Sequence, residues 1–132
     1  PDAPFLLFQK TPCLGICPAY EATVYENGSI RYVGWDHVPV KDTVTFQFSP
    51  EEMKELREEV GKLDYLNLQE TYLTDWSDMP ATISTFYENN REVKRVKHQE
   101  GGPQPLRDYQ EKLHKRLMKL VEEEYKRRLP RE

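Results

Sequence analysis

"YEATVYENGSIRYVGW", residues 20–35, holds two strands and the turn between them, and the turn decides which way both strands face. Tyr20, Ala22 and Val24 alternate with Glu21 and Thr23, the two-residue period of a strand with one dry face. Asn27-Gly28 marks the turn. A two-residue loop would pair Tyr25 with Ile30 and Val24 with Arg31, which splits the apolar residues between faces. A three-residue loop with Gly28 as the bulge residue pairs Val24 with Ile30 and Ala22 with Tyr32. That gathers Tyr20, Ala22, Val24, Ile30 and Tyr32 on one side, so the three-residue loop is expected.

Downstream, "DTVTFQFSPEEM" (42–53) is a strand that runs straight into a helix. Val44, Phe46 and Phe48 alternate. Ser49 is a good N-cap, Pro50 suits the first helical position, and Glu52 completes a capping box. Met53, Leu56, Val60 and Leu63 recur at helical spacing, and Leu66 and Leu68 are expected to tuck under beyond them. Upstream, "PFLLFQK" (4–10) reads as a strand buried on both faces or nearly so.

"QETYLTDWSDMP" (69–80) has no period and reads as a long loop, a place where function often sits. "ATISTFYENNREVKRVKHQ" (81–99) is a second hairpin about Asn89-Asn90. Its faces do not sort, because Ile83 would pair with Val96 and Phe86 with Val93 on opposite sides. Either both faces are partly covered or the register holds a bulge. "EGGPQP" breaks the chain. A last helix carries Leu106, Tyr109, Leu113, Leu117, Leu120 and Val121 on one stripe, and its basic end is expected to fray from about residue 126. The order β-ββ-β-α-ββ-α predicts an α+β fold: one domain over 1–132, an antiparallel sheet of about five to six strands, and two helices on one face.

Composition narrows the function classes. The net charge is −4, which does not favour nucleic acid. Arg91, Arg95 and Lys97 make one hairpin face basic, but they alternate with valines as an ordinary solvent side does, and no aromatic platform lies among them. Residues 51–90 are acidic and the chain from Lys112 is basic, which reads as solvated helix faces or as a tail for an acidic partner. No apolar run reaches the roughly 20 residues of a membrane span. The chain begins at Pro1, as a form trimmed of a signal segment would.

Chemistry concentrates in "TPCLGICPAY" (11–20). Cys13 and Cys17 could form a disulfide, since residues four apart can be bridged when the loop folds like a helical turn and Gly15 frees it to close. A redox-active pair is the second reading, although the spacing is C-x3-C and no thioredoxin-like βαβ context surrounds it. A metal site is the third. His37, His98 or His114 could complete one, but nothing in the spacing directs any of them to the loop. Two inert thiols are the fourth. No nucleophile elbow, phosphate loop, zincin helix or dinucleotide fingerprint occurs, so no catalytic residue and no cofactor is assigned. Glu58-Glu59 reads as the solvent side of a helix, and Asp75 and Asp78 as turn caps rather than catalytic carboxylates. Trp76, with Tyr72, Asp75 and Asp78, could stack on a ligand or plug a partner's pocket, or it could fold back over the edge of the core. Trp35 is expected to pack.

The cysteine segment resembles that of a family of bacterial domains of unknown function with the pattern T-x-C-x-G-x-C-P-x-Y near the N-terminus. Thr11, Cys13, Gly15, Cys17, Pro18 and Tyr20 match it, Asn27-Gly28 falls at the family's turn, and "SPEEM" at its capped helix. Asp78-Met79-Pro80 and "GGPQPL" match later elements, so the likeness spans nearly the whole chain. Such domains often follow secretion or lipoprotein signals. The resemblance implies an extracytoplasmic setting and no particular activity.

Together these readings predict a non-catalytic extracytoplasmic domain that binds a protein or another surface component. Its Cys13–Cys17 disulfide would hold the N-terminal loop, and the site would involve that loop and the segment with Tyr72, Asp75, Trp76 and Asp78. The alternative is a thiol-redox or metal-binding protein built on the C-x3-C loop. Nothing in the sequence sets the oligomeric state.

Overall fold

The computed structural model describes residues 2–130. Seven strands form one sheet: β1 (Pro4–Lys10), β2 (Ala19–Tyr25), β3 (Ser29–Asp36), β4 (Thr43–Gln47), β5 (Thr71–Tyr72), β6 (Thr82–Glu88) and β7 (Arg91–His98). Their order is β4-β3-β2-β1-β6-β7-β5. Helices α1 (Pro50–Gly61) and α2 (Gln104–Arg128) cover one face, and one core joins them to the sheet. This is the expected α+β architecture with one strand more than expected.

The first turn has the expected register. Val24 pairs with Ile30 and Ala22 with Tyr32, so Tyr20, Ala22, Val24, Ile30 and Tyr32 are all fully buried. Gly28, at φ +87°, donates its N–H to Tyr25 O and turns the chain where a side chain would be strained. At α1, the Ser49 hydroxyl accepts from the Glu52 N–H and the Glu52 carboxylate accepts from the Ser49 N–H. Such a cap is worth about 1 kcal/mol. Met53, Leu56 and Val60 are buried on the sheet.

Strand β1 lies mid-sheet, between β2 and β6. Leu6 and Phe8 are fully buried under the helices, while Phe5 and Leu7 are half-buried. The second hairpin turns at Asn89 and Asn90, both at positive φ, as a two-residue primed turn requires. A bulge between Phe86 and Tyr87 shifts the register, so Phe86 opposes Lys94 and Ser84 opposes Val96. This corrects the expected Ile83–Val96 and Phe86–Val93 pairs. The extra residue brings Phe86 and Val96 to the same face, which simple alternation could not do.

The sheet is mixed, not purely antiparallel. Within the expected long loop, Thr71–Tyr72 pairs parallel to β7. Glu70 O and Tyr72 O accept from Lys97 N–H and Gln99 N–H, donors that would otherwise lie bare on the sheet edge. Leu68 is buried, whereas Leu66 is exposed at the middle of a single 3-10 turn, Tyr65–Asn67. Trp35 is 42% exposed, on the sheet face that carries no helix, and does not pack as expected. Glu59 is not on the solvent side: its carboxylate receives both arms of the Arg116 guanidinium, at 2.7 and 2.6 Å, and ties α1 to α2. Helix α2 stays regular through Arg128, past the point where fraying is expected, and Arg128 bonds Asp42 and Glu124. Residues 131–132 of that tail lie outside the described residues, as does Pro1.

Candidate functional site

The strand directions bring the end of β1, the start of β2, the start of β6 and the end of β7 to one edge of the sheet. The cysteine loop 11–18, the 73–81 loop and the 99–103 connection to α2 leave this edge together. They surround a cleft of about 440 Å³, whose other wall is α2 at Arg107, Gln110, Glu111 and His114.

Cys13 and Cys17 are joined in a disulfide with their Cα atoms 5.7 Å apart. Both are half-buried, and Cys17 and Pro18 line the cleft. Thr11 anchors the loop to its neighbour: its N–H donates to Ala81 O at 3.0 Å, and its hydroxyl accepts from Ala81 N–H at 2.8 Å. With its base pinned and its ends bridged, the loop holds Leu14 and Ile16 out to solvent, each 85% exposed. Among the described residues no group of three or more His, Cys, Asp or Glu side chains is placed to hold a metal.

Lys10 continues the buried face of β1 after Leu6 and Phe8, opposite Tyr20 on β2 and Thr82 on β6. Its ammonium donates to Thr82 Oγ1 at 3.1 Å, and it forms an ion pair with no carboxylate among the described residues. Burial pulls its pKa below the usual lysine value. Beside it, His114 Nδ1 lies 2.8 Å from Tyr20 Oη, with the two rings stacked. Burial, helped by the Lys10 charge, brings the His114 pKa down to about 4. Burial raises the Tyr20 pKa well above its ordinary value, so the phenol keeps its proton and can donate to a neutral imidazole. Gln110 is more than nine-tenths buried, and its Nε2 has no hydrogen-bond partner.

Of the expected binding residues Tyr72, Asp75, Trp76 and Asp78, none lines this cleft; they precede Pro80 and Ala81, which do. Gln99, itself in the wall, straps the 73–80 loop: its Oε1 accepts from Thr74 N–H and its Nε2 donates to Met79 O. Trp76 is 75% exposed on that loop and does not fold back over the core. Asp75 and Asp78 are exposed, with Asp78 at φ +61°. Tyr72 is half-buried and engaged: its hydroxyl accepts from Gln69 N–H, and its ring meets His98 edge-on. A larger hollow of about 610 Å³ lies between the 26–28 turn and α1, where Gln47 donates to Asn27 O and Arg57 to Glu26 O.

Lys10, Thr82, Gln110 and His114 escape a reading by motif. The signal that finds two of them is misfit to a period. Lys10 carries a charge on the dry parity of β1, and Gln110 sits among the apolar residues of the α2 stripe.

The family model described as a domain of unknown function, DUF6438, matches residues 4–117, and the chain belongs to that family. No curated protein matches the chain.

Proposed function

We propose that the chain is a non-catalytic, extracytoplasmic bacterial binding domain whose working end is the edge that carries the disulfide loop. The supporting observation is the exposure of Leu14 and Ile16 on a loop closed covalently at both ends. Apolar side chains left to themselves turn inward. Here a five-residue ring and the Thr11–Ala81 bonds hold them outward. Holding a contact residue in place before binding lowers the entropy lost on association, which is what a recognition loop needs. Trp76 and Met79, both exposed on the strapped loop across the cleft, extend the surface. Tyr72, Asp75 and Asp78 frame that loop rather than form a catalytic set. The disulfide itself favours an oxidising compartment outside the cytoplasm.

The test is site-specific photo-crosslinking in cells that produce the protein, with the probe residue at position 14, 16 or 76 and a control at Arg31 on the helix-free sheet face. Specific adducts from 14, 16 and 76, lost in a Cys13→Ser/Cys17→Ser variant, are expected. Equal labelling from Arg31, or none from the three loop positions, rejects the reading. The same cells give the thiol state: alkylation of Cys13 and Cys17 without reductant would shift weight to the thiol-redox alternative, for which Cys17 already stands in the cleft wall near Lys10.

A further inference from the structure

We infer that the cleft beneath the disulfide loop receives a carboxylate joined to a compact apolar body. The Lys10 ammonium and the Gln110 amide would hold the carboxylate, and Ile16, Pro18 and Pro80 would flank the apolar part. This rests on the binding reading above and names the chemistry that the site takes.

The argument is an imbalance of hydrogen-bonding groups. Lys10 Nζ has three donors and one protein acceptor, Thr82 Oγ1. Gln110 Nε2 has two donors and no acceptor, although the side chain is buried. Arg107, at the rim, pairs with no carboxylate among the described residues. Among the polar groups of the wall, Glu111 Oε1 accepts from Lys115 at 2.9 Å, His114 Nδ1 is engaged by the Tyr20 hydroxyl, and His98 Nε2 is a donor already spent on Gly101 O. A part-buried cation without a counter-charge and a buried amide without a partner both cost stability. One entering group satisfies both if it is an anion with lone pairs to spare. A single interior ammonium balances a monoanion; a phosphate dianion would bring a second charge into the same partly dry space without a second interior cation. About 440 Å³ falls in the range of small-molecule clefts and is too small for a folded domain. The carboxylate can therefore be that of a free acid or that of a peptide chain end.

The experiment titrates 15N-labelled protein with 3-phenylpropionate, 3-phenylpropionamide, phenyl phosphate, and an acetyl-Gly-Phe peptide in free-acid and amidated forms. The expected result is saturable shifts of the Gln110 side-chain amide with the two carboxylates and not with their amides. Lys10→Met keeps the apolar stem, removes a charge that has no carboxylate partner, and is expected to fold as the parent does. It should weaken carboxylate binding by at least tenfold. A stronger response to the peptide than to phenylpropionate assigns the chain-end source, and the reverse assigns the free acid. Equal binding of acid and amide, tighter binding of phenyl phosphate, unchanged affinity in folded Lys10→Met, or no shift at millimolar ligand overturns the inference. Failure here with crosslinks from positions 14, 16 and 76 intact leaves the binding reading standing. Carboxylate binding without those crosslinks removes the protein partner and leaves the anion site.

Discussion

Two loops leave the same edge of the sheet and treat their apolar residues in opposite ways. The 37–42 loop between β3 and β4 buries Val38 and Val40, and its Val40 carbonyl accepts from the buried Tyr32 hydroxyl at 2.8 Å. The 11–18 loop between β1 and β2 exposes Leu14 and Ile16 and leaves Lys10 and Gln110 beneath it short of partners. The first loop is held by burial and the second by a covalent bond. Where burial holds a loop, its side chains are consumed in the holding. Where a disulfide holds it, the side chains are free for another molecule. The contrast separates a seal from a presenting surface on one scaffold.

The sealed loop should be the easier one to break, and the largest effect should come from Gly34. A Cβ there would fall on the Val40 carbonyl oxygen and the Tyr32 hydroxyl, both fixed in the core. Gly34→Ala should cost about 3 kcal/mol or more, measured by urea unfolding, because backbone cannot move aside as a flexible side chain can. Wild-type stability in that variant would mean that the loop is not tied to the sheet. Next comes Val38→Ala with Val40→Ala, expected to cost about 2–3 kcal/mol for lost burial and the cavities left behind.

The hairpin next to the sealed loop was legible in the sequence, although the burial of Val38 and Val40 in the loop itself was not. Tyr20, Ala22, Val24, Ile30 and Tyr32 lie at strand period around one turn, so a single register choice placed all five in the core. The Ser49–Glu52 box placed α1 for the same reason: the information is local. Strand β5 was not legible, because two residues have no period and its partner β7 lies more than twenty residues on. The bulge after Phe86 was visible only as a face that would not sort. The candidate site was half visible. The cysteine pair and the Trp76 loop stand out in the sequence, but the cleft between them depends on α2 crossing the end of β1. Nothing local to Lys10 announces Gln110, a hundred residues away.

The presenting loop should yield smaller changes in stability. Cys13→Ser/Cys17→Ser should cost about 2 kcal/mol, the chain-entropy value for so short a ring, and should abolish the crosslinks from positions 14 and 16. A loss near that of Gly34→Ala would make the bridge a global staple and dissolve the contrast. Acid should act at the same end. The His114 pKa is about 4 in the folded protein because of burial and Lys10, against an ordinary 6.5. As pH falls below about 6.5 the unfolded chain takes up a proton that the folded protein refuses until about 4. Stability should therefore fall across that window and stay level in this respect below it. With solvent screening at a half-open position, the loss should be about 1 kcal/mol. His114→Gln, which keeps an acceptor for Tyr20, should remove it, and the difference between the two pH profiles isolates it from the carboxylates that titrate nearby. Lys10→Met should shrink it, since the Lys10 charge is the smaller of the two causes. An identical profile in parent and His114→Gln would mean that the imidazole titrates normally.

The smallest effect on stability is also the one that tests the contrast most directly. Leu14→Ser with Ile16→Ser changes two large apolar residues, as the paired valine variant does, on a loop at the same edge. Each side chain is 85% exposed, so almost no apolar area returns to water on unfolding that is not in water already. The expected change in unfolding free energy is below about 0.5 kcal/mol, in the range of ordinary surface substitutions. Solubility should rise, because two adjacent exposed apolar side chains invite self-association. A loss approaching that of the valine pair would show that Leu14 and Ile16 pack in solution, and the disulfide loop would then be a second seal. A negligible loss with the crosslink from position 76 gone would leave recognition as the role that keeps two such residues in water.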